Sequence, residues 1–131
     1  MNTKLNQILA EISAGELLDK ITILEIKMEK ITDNEKLKDI NKELSSLTKT
    51  SNEKIPDKKR IEDLVSNLKK INLKLWDIEE NKRKAEKDKK FDETFIQLSR
   101  DVYKANDERA KIKLKINEIL GSYIKEVKSH Y

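Results

Sequence analysis

The chain has 131 residues, of which 41% are charged, 36% hydrophobic and 5% aromatic, with two Gly, one Pro and no Cys. So few turn formers exclude a sandwich, barrel or multi-stranded sheet, which need a breaker every ten residues or so. The missing Cys excludes disulfides, iron–sulfur clusters and thiolate zinc sites. The formal net charge of +4 equals the surplus of one short run, Lys82 to Lys90, which holds six cations and two anions. Elsewhere Lys and Glu alternate and aromatics are scarce, a poor fit to nucleic-acid binding, which uses a basic stripe with stacking rings.

No run of about 18 apolar residues exists, so a soluble, cytoplasmic chain without a membrane partner is expected. His130 is the only His and lies in the tail, so neither a metal nor another cofactor is expected. The whole of 1–131 reads as one all-α domain.

Residues 1–12 fit either a helical face (Leu5, Ile8, Leu9, Ile12) or an extended strip (Ile8, Ala10, Ile12). Ser13-Ala-Gly-Glu16 has the form of a capping box and starts a helix. Leu17, Ile21, Leu24, Met28 and Ile31 follow at coiled-coil spacing. Thr32-Asp-Asn-Glu35 repeats the capping pattern, so this first arm, 13–48, is kinked or broken near 32–35 before the apolar row resumes at Leu37, Ile40, Leu44 and Leu47. Residues 49–56, polar and holding the only Pro, read as a loop. A second helix over 57–88 carries Ile61, Leu64, Leu68, Ile71, Leu75 and Ile78. After a turn capped by Asp92, a third helix over 92–121 ends at Gly121, a favoured left-handed C-cap. The tail, 122–131, has no assigned conformation. At 1.5 Å per residue the arms come to about 52, 48 and 45 Å, which describes an elongated antiparallel three-helix bundle with coiled-coil-like seams. Such seams also suit a homodimer or a partner helix.

Beside the seam of the second helix runs a polar row, Asn72, Trp76, Glu79, Arg83, Glu86, and in the third helix Arg109 stands where the seam calls for an apolar residue. Only four of the 29 cations are Arg, and a guanidinium alone binds carboxylate or phosphate bidentately. In an up-down-up bundle, Lys20, Glu79, Arg83, Arg100 and Tyr103 share one layer and Lys27, Asn72, Trp76, Asn106 and Arg109 the next. One reading makes this an interior site for an anionic small molecule, phosphorylated or carboxylated. Arg109 and Lys113 clamp the anion, Lys20 and Lys27 add charge, Tyr103, Asn72 and Asn106 orient it, Trp76 packs on it, and Glu79 holds Arg83 or acts as general acid or base. Replacing Arg109 by Leu would then preserve or raise stability. The other reading is structural: Glu79–Arg83 is a surface pair, the Asn residues fix register, Trp76 fills the core, and the chain is an adaptor or scaffold.

The stretch from Gly15 to Lys27, GELLDKITILEIK, resembles the opening of a small bacterial and phage family of unknown function. The likeness continues through Asn72, Leu75, Trp76, Ile78 and Glu79, through Phe95 to Lys113 by way of Arg100, Tyr103, Asn106, Asp107 and Arg109, and through Ile116-Asn117 and Gly121-Ser122. The chain departs from the family pattern at Ser99 and Val127, where Ala and Glu are expected. The resemblance implies importance for those polar positions and a neighbourhood of surface-polysaccharide and glycosyltransferase genes, hence a sugar-phosphate or nucleotide-sugar ligand. A looser similarity is to the all-helical chorismate mutases, which bind a dicarboxylate with Arg and Lys and need no metal. It implies a metal-free mutase or lyase using Lys20, Arg83, Arg100, Arg109 and Glu79, although the early Arg of that fold is missing.

Overall fold

The structure, a computed structural model, describes residues 4–128, so His130 and the ends of both terminal segments lie outside the described residues. It contains α1 (Ala14–Lys30), α2 (Asn34–Lys54), a 3-10 turn (Lys59–Ile61), α3 (Glu62–Lys87) and α4 (Glu93–Leu120). The all-α expectation holds, with four helices in place of three. Among the described residues no helix is long and apolar enough to cross a membrane.

Local chemistry explains each boundary. Ser13 caps α1, its Oγ accepting the Glu16 N–H at 3.0 Å. The reciprocal half of the capping box is replaced, because the Glu16 carboxylate turns to Lys113 and Lys20. Ile31 leaves the helix in extended conformation and Asp33, one residue beyond the expected cap, starts α2 by accepting the Glu35 N–H at 3.0 Å. The expected kink is therefore a full reversal: Leu47, Ser51 and Ile55 return to the level of Leu17 and Leu18.

The expected loop over 49–56 is wrong for most of its length, since α2 continues to Lys54. Ser51, a poor helix former, is held there because it is buried on the face turned to α1. Lys58 then reaches back to cap the helix end, donating to the Ile55 carbonyl at 2.7 Å and the Ser51 carbonyl at 3.3 Å. The remaining connection is short, and α3 begins at Glu62 instead of 57. Asp92 caps α4 by accepting from Thr94 and Phe95, and Gly121 ends it at φ 61°, ψ 45°.

α1 is the central element, packed against α2, α3 and α4, whereas the backbone of α2 comes close to that of α1 alone among the helices. Seven of the residues of α1 are buried, Gly15, Leu17, Leu18, Asp19, Thr22, Leu24 and Ile26, which point to two opposite sides of the helix, while Lys20 and Lys30 stay exposed. A single coiled-coil seam is therefore replaced by an apolar helix enclosed on opposite sides. α3 and α4 form an antiparallel hairpin whose Leu68 and Ile116, with Ile61 of the preceding 3-10 turn, close the core over Leu17 and Leu18. α1 runs antiparallel to α4, so Gly15 lies beside Asn117 and Ile26 beside Val102.

The two helices approach so closely at Gly15 that a Cβ there would stand 2.6 Å from the Lys113 carbonyl oxygen. Backbone cannot yield as a flexible side chain does. Gly15→Ala is expected to lower unfolding free energy by about 2 kcal/mol, measured by urea denaturation, while Gly121→Ala, with open space around it, loses about 1 kcal/mol through its left-handed conformation alone.

Candidate functional site: a closed polar cluster around Asp19

Asp19 is completely buried in the middle of α1. An isolated carboxylate at such a position would cost several kcal/mol, so its partners decide whether the fold exists. Oδ1 accepts from Asn72 Nδ2 at 2.8 Å and from Arg109 Nε at 3.0 Å, and Arg109 Nη2 donates to Oδ2. This is a two-armed guanidinium–carboxylate pair. Asn72 donates also to Thr22 Oγ1 at 2.9 Å, and Thr22 donates to the Asp19 carbonyl. The hydrogen bonds to Asp19 raise the Arg109 pKa, against burial, which pulls it down, and with help from the charges of Asp19, Glu16 and Glu126.

One turn toward the start of α1, Lys113 pairs with Glu16 and lies 3.9 Å from Asp19 Oδ2 and 3.7 Å from Glu126 Oε2. Beyond it the first amides of α1 are taken up by side chains from the far end of the chain. Gly15 N–H donates to Asn117 Oδ1 at 2.7 Å and Ala14 N–H to Ser122 Oγ at 3.0 Å. Ser13 Oγ–H donates to Glu126 Oε1 at 2.6 Å. Amides that a helix leaves unpaired at its start are thus satisfied by α4 and the turn after it.

The expected site residues divide into three groups. Asn72, Arg109 and Lys113 enter this cluster. Trp76, Glu79 and Asn106 border an open groove of about 310 Å³ with Asn72, Arg109, Ile23, Ile26 and Val102, and Asn106 Oδ1 accepts from Arg109 Nη1 at 3.3 Å. Lys20, Arg83, Arg100 and Tyr103 stand on the surface, and Lys27 is half-buried but does not border the groove. Arg83 bonds Glu79 at 2.7 Å, one turn away on the same helix, which is the surface-pair reading. The second expected layer comes together without Lys27, since Asn72, Trp76, Asn106 and Arg109 border one groove, but the first does not form, because α1 and α2 make a hairpin. The start of α1 consequently meets the end of α4, placing Lys20 far from Arg100 and Tyr103.

Sequence reasoning gave no role to Asp19, Thr22 and Glu126, and quoted Asn117 only as part of the resemblance. Asp19 had a visible signal, as an acidic residue inside the most apolar helix and within the GELLDKITILEIK stretch. A carboxylate was expected at 127, yet Val127 is exposed and its neighbour Glu126 makes the contact.

Fold and cluster define a small all-helical protein whose first and last helices are joined through a buried ion pair. The chain belongs to a family of unknown function (DUF6165), whose model matches residues 8–131. No curated protein and no solved structure matches it.

Arg109 already neutralises a buried carboxylate, so its removal leaves Asp19 stranded. Arg109→Leu is expected to destabilise the protein by about 3 kcal/mol, opposite to the preserved stability that an anion-holding Arg would give, and Asp19→Leu/Arg109→Leu to recover about half of that loss. Thermal melts of these two variants and of Asp19→Leu alone measure the coupling.

Proposed function

We propose that this protein is a non-enzymatic association module that pairs with a second copy of itself, its polar cluster serving to fix helix register. One observation carries the reading: on the non-helical segment before α1, Leu5, Ile8 and Leu9 are 87%, 81% and 88% exposed. A contiguous apolar strip held off the body of a highly charged protein is the usual mark of an interaction surface. Beside it lies a groove of about 820 Å³, between this segment, the α2–α3 connection and the chain after α4, with apolar walls at Ile12, Leu17, Ile55, Pro56, Leu120 and Ile124. Strip and groove adjoin on one protomer, so a two-fold pair could place each strip in the other's groove.

The charge inventory favours this over an anion site. Arg109 and Lys113, the proposed clamp, are engaged by Asp19 and Glu16, and Glu126 adds a further negative charge. The same engagement counts against a mutase holding a dicarboxylate. A small-ligand reading retains the Trp76 groove, whose apolar walls and Asn106 amide suit a ligand with one flat face. There, titration with a sugar phosphate would change Trp76 fluorescence, and an unchanged spectrum would remove the idea.

Light scattering across a concentration series tests the association. The wild type is expected to approach twice its 15.4 kDa mass, and Leu5→Ser/Leu9→Ser to remain at the monomer mass with an unchanged melting temperature. A wild type that stays monomeric throughout would refute self-association.

A further inference from the structure

The chain after α4 doubles back over it as a strap. Glu126 reaches Ser13 and Lys113, and Lys128 bonds Asp107 at 2.8 Å. The strap is attached by these polar contacts, while its Tyr123 and Val127 side chains are 90% and 91% exposed. Apart from the partly buried Ile124, little apolar packing therefore opposes its release.

Beneath it is a cavity of about 180 Å³ bordered by Asn117, Lys113 and Glu126, with Ala110, Leu114 and Val127 as apolar wall. Asn117 is 1% exposed; its Oδ1 accepts from Gly15, but its Nδ2 is buried without a hydrogen-bond partner. An orphaned buried donor is rare in a native protein and asks for an acceptor. Two donors of different kinds thus border this space, the Lys113 ammonium and the Asn117 carboxamide, and a third, the Ser13 hydroxyl, lies outside it but is reached through Glu126. Of the three, Ser13 and Lys113 face the Glu126 carboxylate.

We propose that Glu126 is a tethered stand-in, and that the space under the strap binds an external carboxylate on a short apolar stem. Such a group replaces Glu126 on Ser13 and Lys113 and also satisfies Asn117 Nδ2, which Glu126 leaves unpaired. The stem packs on Leu114 and Ala110, and the displaced strap swings outward. Because Glu126 is part of the chain, it competes at high effective concentration, and weakening it must tighten external binding. The site is distinct from the N-terminal strip and survives even if the chain proves monomeric.

Butyrate is the probe, titrated into the full chain and followed by proton–nitrogen correlation NMR. The Asn117 side-chain amide pair and the Glu126 backbone amide are expected to shift together, and Glu126→Gln to bind about tenfold tighter than wild type. Asn117→Leu should lose the response. If the carboxylate comes from an acidic side chain of another copy, the same resonances move with protein concentration before butyrate is added; if it is a free acid, they move only with butyrate. An Asn117 pair that responds to neither, or a Glu126→Gln protein that binds no tighter, overturns the proposal. The wild-type titration decides the matter alone should the variants not fold.

Discussion

The structure depends on a carboxylate with no access to water. Asp19 occupies the centre of the most enclosed helix, and the apolar surface that α1 buries can be removed from solvent only if that charge is met. Arg109 meets it with two parallel bonds and Asn72 with a third. Each donor comes from a different helix, so the arrangement forms at one register of α3 and one of α4 against α1. Apolar rows alone would not discriminate so sharply, since Leu and Ile tolerate a slide of one turn far better than a guanidinium tolerates losing its partner. The pair is thus better understood as selecting one packing than as adding net stability.

From that register the rest of the polar layer follows. With Arg109 opposite Asp19, the antiparallel course of α4 brings Lys113 to Glu16, Asn117 to Gly15 and Ser122 to Ala14. The absence of a side chain at Gly15 is what lets the backbones meet closely enough for the Asn117 carboxamide to reach an amide N–H. Sequence ends more than 100 residues apart are thereby joined, and the start of the central helix is completed only when the last helix has docked. Contacts of such sequence separation form late and bind the fold into one cooperative unit.

Local chemistry was legible in the sequence and direction was not. Ser13, Asp92 and Gly121 announce helix ends by side-chain type alone, and a break near 32–35 could be seen from its repeated capping pattern. Whether that break was a bend or a reversal depended on where α2 found apolar partners, which no local pattern records. The error propagated, because every layer of the expected site was counted from an up-down-up course. Arg109 was correctly singled out as out of place on an apolar seam, but its partner was sought among ligands. The stretch holding Asp19 shows its apolar spacing first, and the acidic member lies two positions from both Leu17 and Ile21, off the seam. Ser51 shows the converse: a residue with weak helix preference is retained in a helix by burial, an effect that exists only once α1 is in place.

A cluster this complete limits what the protein can do inside itself. A site that takes up an anion without giving one up keeps at least one cation in excess. Here Arg109 and Lys113 face Asp19, Glu16 and Glu126, leaving the interior with no surplus of positive charge. The unfulfilled features lie at the margins: three nearly naked apolar side chains ahead of α1, and one unpaired amide under a strap that covers it with scant packing. Both adjoin Ser13, the residue at which the N-terminal segment enters α1 and to which the strap's Glu126 is bonded. Any group that draws Glu126 away also removes one tether from the base of the apolar strip. The buried ion pair holds its register meanwhile, because none of its hydrogen bonds passes through the strap.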